Sequence, residues 1–316
     1  MKQPYIMQFD SLPNTISQQL PDWCTYPFSM AQKKSYLQFK SGKLLTQHLK
    51  FKPFHIELFE LKCDDLFGMS YEVFEKQHFL FFMLEGSTTF STQEGLHVSY
   101  AKSGHFAFVS NEKGRFKLAL PAGHYSALCL ALEYDWLEFF SEDQPVLKGF
   151  LDMTSPGGHD MLPYCRIDRK VASWLKRLYS ELQAGRGSLD GQLRFYISLI
   201  LERYNHLAKT RLSSLPWKAK EYLDKMFKNP ELSLKSISDH LEVNSNHLRD
   251  QFKAEFMVTP HHYYTCRRLY LAHQLMVNYN LPLRQVFSKV GYNDESALRY
   301  EMKQFGLSTV NTHKPI

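Results

Sequence analysis

Between residues 50 and 132, short runs of aromatic and aliphatic residues alternate with polar clusters at a nearly constant interval. The runs Ser70–Glu75, Phe79–Leu84, Thr88–Thr92, Phe106–Ser110 and Tyr125–Leu132 are punctuated by Gly86, Gly95, Gly104, Gly114 and Gly123, spaced nine, nine, ten and nine residues apart. Short, evenly spaced strands with turn signals predict an antiparallel barrel or sandwich. No helical pattern follows any of these glycines, so they read as turn formers rather than phosphate binders.

The period changes at Asp168. Val171, Trp174, Leu175, Leu178 and Leu182 fall on one helical face, and after the break Gln183–Ser188 a second set follows with Leu189, Leu193, Tyr196, Ile197, Ile200 and Tyr204. This predicts a helical hairpin over 166–208. Its apolar stripes fit packing against their own domain and a dimer interface equally well. Lys209–Pro216 is short, polar and closes on proline, which suits a linker. Residues 1–165 are then one domain and 217–316 another.

That last segment carries only short helical patterns. Helices are predicted at Trp217–Phe227 and Leu234–Leu241. A third follows the cap candidates Asn244 and Ser245 and bears Leu248, Phe252 and Phe256; a longer one starts at Pro260, an allowed first-turn position. Leu283–Val290, the turn at Gly291 and a helix capped by Asp294 and bearing Leu298 and Met302 repeat the theme. The fold class is α+β: an N-terminal antiparallel β-barrel with a helical hairpin, then an all-α domain.

Composition narrows the function classes. A chain of 316 residues with 44% hydrophobic and 15% aromatic residues is globular, not disordered. The longest apolar runs, Phe79–Leu84 and Ala127–Leu132, have six residues each, against roughly 20 for a membrane span. The N-terminus lacks the apolar stretch of an export signal, so a cytoplasmic location and no membrane partner are expected. Five cysteines without a Cys-x-x-Cys pair argue against disulfides and thiolate zinc. Net charge is +6, and from Trp217 onward 14 Lys+Arg face 10 Asp+Glu, an excess compatible with nucleic acid.

Two short helices joined by a tight turn, the second polar on its free face, fit a major groove roughly 12 Å wide. The motif occurs twice, with Leu248 and Leu298 in equivalent places 50 residues apart. The Pro260–Asn278 helix would span about 28 Å between them at about 1.5 Å per residue. The strings Leu234-x-x-Ile237, Leu241, Val243, Leu248-x-x-x-Phe252-Lys253, Pro260 and Tyr263 resemble the first unit of the arabinose-regulator (AraC-type) family of bacterial transcription factors. Arg268-Leu269-x-x-Ala272-x-x-Leu275 is similar to its linking helix, and Val286-x-x-x-Val290-Gly291-Tyr292-x-Asp294-x-Ser296, Leu298, Lys303 and Phe305-Gly306 to its second unit. The chain departs from the family at Glu242 and Met257, where glycine is usual. It departs again at Asp250 and Tyr300, where arginine is common, and in the closing stretch Thr309–His313.

The resemblance implies a sequence-specific DNA-binding regulator. Base-edge candidates are Asn246 and Arg249 in the first unit and Glu295, Ser296 and Arg299 in the second, with Lys253 and Lys303 as phosphate contacts. It also implies a cupin-like barrel that senses a small molecule, a homodimer formed through the hairpin, double-stranded DNA as partner, and RNA polymerase as a further candidate partner. Phe82, Phe90, Phe106, Phe108 and Tyr125 are the candidate effector pocket. No cofactor, catalytic residue or metal is expected: the seven histidines before residue 160 form no His-x-His pair, and Gly-x-Ser-x-Gly is absent. The alternatives are a cupin-type metal-dependent oxygenase with an accessory helical domain and a ligand-independent DNA-binding protein.

Overall fold

The computed structural model describes residues 3–152, 159–183 and 185–307, so Thr309–His313 lies outside the described residues. The chain divides into two units: Met1–Phe90 with Ala101–Arg211, and Ser91–Tyr100 with Leu212–Ile316.

The first 132 residues carry twelve strands: β1 (Ile6–Phe9), β2 (Thr15–Ser17), β3 (Lys33–Phe39), β4 (Gly42–Phe51), β5 (Phe54–Cys63), β6 (Phe67–Val73), β7 (Gln77–Glu85), β8 (Thr88–Thr92), β9 (His97–Ala101), β10 (His105–Asn111), β11 (Gly114–Leu120) and β12 (Gly123–Leu132). Helices α1 (Tyr134–Ser141) and α2 (Pro145–Leu151), the short strands β13 (His159–Met161) and β14 (Cys165–Arg166), and helices α3 (Arg169–Ser180) and α4 (Arg186–Leu212) follow. Five strands order as β1-β6-β11-β8-β9; the larger sheet orders as β13-β10-β7-β12-β5-β4-β3-β2, with β14 also on β10. Four of the glycine-punctuated runs of the sequence fall within β7, β8, β10 and β12, and the run Ser70–Glu75 overlaps β6 and extends two residues past it.

Strand alternation gives the large sheet two buried faces. One meets the smaller sheet: Tyr5 sits between Tyr71 of β6 and Phe79 of β7, at 6.0 and 5.7 Å, and Phe81 packs edge-on to Phe90 at 5.6 Å. The other is covered by helices, with Phe54 against Trp136 at 4.7 Å, Phe108 against Phe150 at 5.6 Å and Phe106 against Tyr204 at 5.2 Å. Burying both faces explains why β5 and β12 are almost wholly buried along their length.

This parity places the candidate effector-pocket residues on different faces of the sheet. Phe82 and Phe106 stack at 5.0 Å and, with Phe108, are fully buried on the helix-covered face. Phe90 lies between the sheets, where it meets Tyr71 and Phe81. Consecutive residues on a strand point opposite ways, so Phe81, not Phe82, is the β7 ring on that side.

The helical hairpin forms as expected, with Asp168 capping α3 through the Lys170 and Val171 amides. Arg203 of α4 pairs with the same carboxylate at 2.7 Å and ties the two helices together. The α4 stripe of Leu189, Leu193, Ile197, Ile200, Leu201 and Tyr204 is buried within this unit. Tyr204 donates to the Pro163 carbonyl at 2.8 Å. That stripe therefore serves its own domain, and Phe195, 59% exposed, stands on the outer side of α4. The expected polar linker 209–216 is helical instead: α4 runs to Leu212 and the next helix starts at Leu215, where Pro216 occupies a first-turn position that needs no amide donor.

The second unit holds α5 (Leu215–Met226), α6 (Leu234–His240), α7 (Ser245–Phe256), α8 (Pro260–Asn278), α9 (Leu283–Val286) with a 3-10 turn at Phe287–Val290, and α10 (Glu295–Gln304). Its core around the second motif gathers Leu269, Ala272, Met276, Val286, Val290, Leu298 and Met302.

Candidate nucleic-acid interface

Each helix-turn-helix starts from local capping chemistry. Ser233 caps α6 in a reciprocal box with Ser236, whose amide donates to the Ser233 hydroxyl at 3.1 Å. Asn244 caps α7 by accepting from the Asn246 and His247 amides, and Asp294 caps α10 by accepting from the Ala297 amide at 2.8 Å. Glu242 and Met257 keep the left-handed backbone that glycine would favour, with φ of 53° and 61°. The turn geometry is retained despite the loss of glycine, at a backbone cost of about 1–2 kcal/mol each.

The two recognition helices match position by position. Leu248 and Leu298 are each the fourth residue of their helix and fully buried, and Phe252 and Met302 are each the eighth and fully buried. On the opposite side, Asn246 and Ser296, Arg249 and Arg299, and Lys253 and Lys303 occupy equivalent exposed places. Burial of every fourth residue fixes the rotation of each helix, so the outward face is set by the core.

The seven expected site residues thus lie on exposed or half-buried positions of α7 and α10, but three of them already have a side-chain partner. Arg299 donates to Glu295 one turn earlier on α10, whereas Arg249 leans on its neighbour Asp250 at 3.3 Å. In the second unit the guanidinium and the carboxylate thus present a joined pair rather than two separate readers. Asp224, Lys220 and Arg267, which sequence reasoning did not single out, form a polar joint between α5 and α8 with Tyr263. Lys220 donates to Asp224 at 2.7 Å, Tyr263 donates to its other oxygen at 2.8 Å, and Arg267 approaches to 3.5 Å.

Burial alone would push the Asp224 carboxyl up; the charges of Lys220 and Arg267, with the hydrogen bonds from Lys220 and Tyr263, outweigh it and hold the carboxyl below its ordinary value. A carboxyl depressed in the folded state binds its proton more readily when unfolded. Its stabilisation is therefore present above the unfolded value near 3.9 and is lost as pH falls through the lower folded value. Urea unfolding of the Asp224→Asn variant should accordingly show a shallower loss of stability than the parent chain below about pH 4. Parallel acid limbs for the two proteins would remove Asp224 from this role.

Arg268 and Gly291 join the two motifs. Arg268 of α8 donates from Nε to the Phe227 carbonyl at 2.6 Å and from Nη2 to the Asn229 carbonyl at 2.7 Å, with its guanidinium over Tyr264 and Tyr292. Gly291, in the turn of the second motif, packs directly on the backbone at Phe227 and Lys228. The sequence shows Gly291 as a turn residue and Arg268 as part of the linking-helix pattern, without their shared target.

A family profile described as a helix-turn-helix domain matches residues 237–309. Comparison with curated proteins finds no match. Among solved structures, the C-terminal domain of AraT, a response regulator from Geobacillus stearothermophilus, is 26% identical, with 34% of this chain and 93% of that chain covered and a TM-score of 0.31. ToxT from Vibrio cholerae O395 is 13% identical over 83% of this chain and 96% of its own, with a TM-score of 0.32. The AraC-like transcriptional activator CuxR is 13% identical over 82% and 87%, with a TM-score of 0.36. No helix among the described residues is long and apolar enough to cross a membrane. The matched profile spans the paired capped helices α7 and α10 and the linking helix α8, so the C-terminal part of this chain carries a helix-turn-helix domain.

Proposed function

We propose that the protein is a sequence-specific transcriptional regulator in which α7 and α10 enter successive major grooves and the N-terminal barrel senses a small molecule. The observation that carries this reading is the position-by-position match of the two recognition helices, with identical buried and exposed places. Asn246 and Arg249, with Ser296 and the Glu295–Arg299 pair, read base edges; Lys253 and Lys303 hold phosphates. Two weak insertions joined by α8 act as one strong one, because the second contact is effectively intramolecular. A structure of ToxT is described as bound to an unsaturated fatty acid, and the aromatic space between the sheets here, with Phe81 and Phe90, suits a ligand of apolar character. Homodimers would form on the outer side of the hairpin, where Phe195 is exposed, since α4's buried stripe is already used.

The test is recovery of bound fragments from genomic DNA by the purified chain, followed by titration of a recovered site against random duplex. Arg249→Ala should lower affinity for the recovered site by about 1–3 kcal/mol more than for random DNA. Lys253→Ala should weaken both alike and reduce the slope of log affinity against log salt by about one. Equal losses for Arg249→Ala on both duplexes would refute base reading by that residue, and uniform coverage with no discrete site would favour a ligand-independent DNA-binding protein.

A further inference from the structure

On β4 and β5, inside the first unit, three side chains with metal-ligating atoms meet: a ring nitrogen from His48, one from His55 and a Glu57 oxygen all lie within 4.8 Å of one another. The strands dictate this meeting. His55 and Glu57 are two apart on β5 and so share a face, and β4–β5 register sets His48 directly opposite Glu57. Tyr5, wedged between the sheets, donates its hydroxyl to Glu57 Oε2, and Cys129 stands opposite Glu57 on the β12 side.

Two features of the cluster ask for a cation. Glu57 is 2% exposed, and no lysine or arginine nitrogen lies within 4.0 Å of it among the described residues; the groups beside it are His48 Nδ1 at 3.2 Å and His55 Nε2 at 3.9 Å. A buried carboxylate is costly unless a positive charge compensates it. His55, 6% exposed, has its Nε2 beyond hydrogen-bond reach of the carboxylate, and its Nδ1 is buried with no hydrogen-bond partner among the described residues. The other buried polar groups of these strands contrast with it. Glu60 accepts from the Thr25 amide at 2.7 Å, and Gln47 bonds Phe28 and Tyr26 at 2.8 Å each.

We infer that His48, His55 and Glu57 form a binding site for a divalent first-row transition-metal ion inside the barrel. Donors about 2.1 Å from one ion at tetrahedral or octahedral angles stand about 3.0–3.4 Å apart; His48 Nδ1 is already 3.2 Å from Glu57 Oε1, while His55 Nε2, 3.9 Å from Oε2, moves inward to bring the three donors, now within 4.8 Å of one another, onto one ion. Two imidazoles with one carboxylate select Zn²⁺, Fe²⁺ or Co²⁺ over Ca²⁺ and Mg²⁺, which take oxygen ligands. The surroundings orient the donors. Thr46 Oγ1 lies 3.0 Å from His48 Nε2; with Nε2–H donating to that hydroxyl, the Nδ1 lone pair is directed at the ion, and the Tyr5 hydroxyl holds the carboxylate. The ion replaces the missing positive charge beside Glu57 and ties β4, β5 and the segment before β1 together. The inference does not depend on the DNA-binding reading.

The experiment is titration of the metal-free full-length chain with Co²⁺ and Zn²⁺, followed by visible absorption and by thermal unfolding. One Co²⁺ per chain, giving a d–d band, displacement by Zn²⁺ and not by Mg²⁺, and a raised unfolding temperature are expected. Glu57→Gln and His55→Ala should each weaken Co²⁺ binding about a hundredfold or more, and Tyr5→Phe about tenfold with the band retained. His124→Ala, on a different part of the barrel, should bind as the parent does. Absence of saturable binding to the parent chain at micromolar metal, or parental affinity in folded Glu57→Gln or Tyr5→Phe together with loss in His124→Ala, would overturn the site. Should Glu57→Gln and His55→Ala fail to fold, the parent titration and Tyr5→Phe still decide it.

Discussion

Alanine at position 291 is expected to destabilise the second unit by about 2–5 kcal/mol. Gly291 terminates the 3-10 turn after α9 with φ 90° and ψ 29°, a left-handed conformation that an L side chain enters at a cost of about 1–2 kcal/mol. A Cβ there would also stand 2.8 Å from the Phe227 carbonyl oxygen and 2.9 Å from the carbon and oxygen of Lys228. These are backbone atoms, and the Phe227 oxygen is held in place by Arg268, so the clash cannot be relieved by a rotamer change. Crowding of a packed interior adds about 1–3 kcal/mol. Gly95→Ala separates the two contributions: its φ is 86° with nothing within 4 Å of the added methyl, and about 1–2 kcal/mol is expected. Urea unfolding followed by circular dichroism measures both. Equal midpoint shifts for the two variants would show that the backbone at Phe227 and Lys228 moves aside.

The sequence makes the DNA-binding half legible because its function and its core share one period. Leu248 and Leu298, Phe252 and Met302 repeat at a 50-residue offset on the buried side, and the exposed candidates repeat with them. The glycine-spaced strands are legible for a similar reason, since their turns need glycine chemistry. The strands before Cys63 are not. In β5 the polar residues His55, Glu57 and Glu60 are all buried, so the hydrophobic alternation that marks a half-exposed strand is missing. The same residues conceal the His48–His55–Glu57 cluster: His55 and Glu57 share a face of β5, but the third member comes from cross-strand register, which sequence spacing does not reveal. Aromatic richness alone does not say which face a ring takes: Phe82, Phe106 and Phe108 lie on the helix-covered face and Phe90 between the sheets. Pro216 was read as the end of a linker, although proline at a first turn also begins a helix.

Arg268→Met should cost about 3–5 kcal/mol and should also uncouple the two recognition helices. The guanidinium is 6% exposed and satisfies the carbonyls of Phe227 and Asn229, which close α5 of the first motif. Methionine fills much of the volume but leaves the buried Phe227 carbonyl without this donor and the half-buried Asn229 carbonyl with only the Leu232 amide at 3.1 Å, and hydrogen bonds to charged groups contribute about 1.5–3 kcal/mol each. Lysine restores the charge but not the planar fork, so Arg268→Lys should recover less than half of the loss. The consequence for DNA follows from geometry. Arg268 lies on α8, stacks on Tyr292 beside Gly291, and bonds the end of α5, so it holds the orientation that lets α7 and α10 act together. Without that brace the second insertion is no longer prepaid by the first, and the effective concentration linking them falls. Affinity for a duplex carrying both half-sites should drop by a larger factor than affinity for a duplex carrying the first half-site alone, measured below the unfolding midpoint of the variant. A parental ratio between the two duplexes, in a folded Arg268→Met or Arg268→Lys chain, would show that α8 holds the recognition helices in register without this arginine.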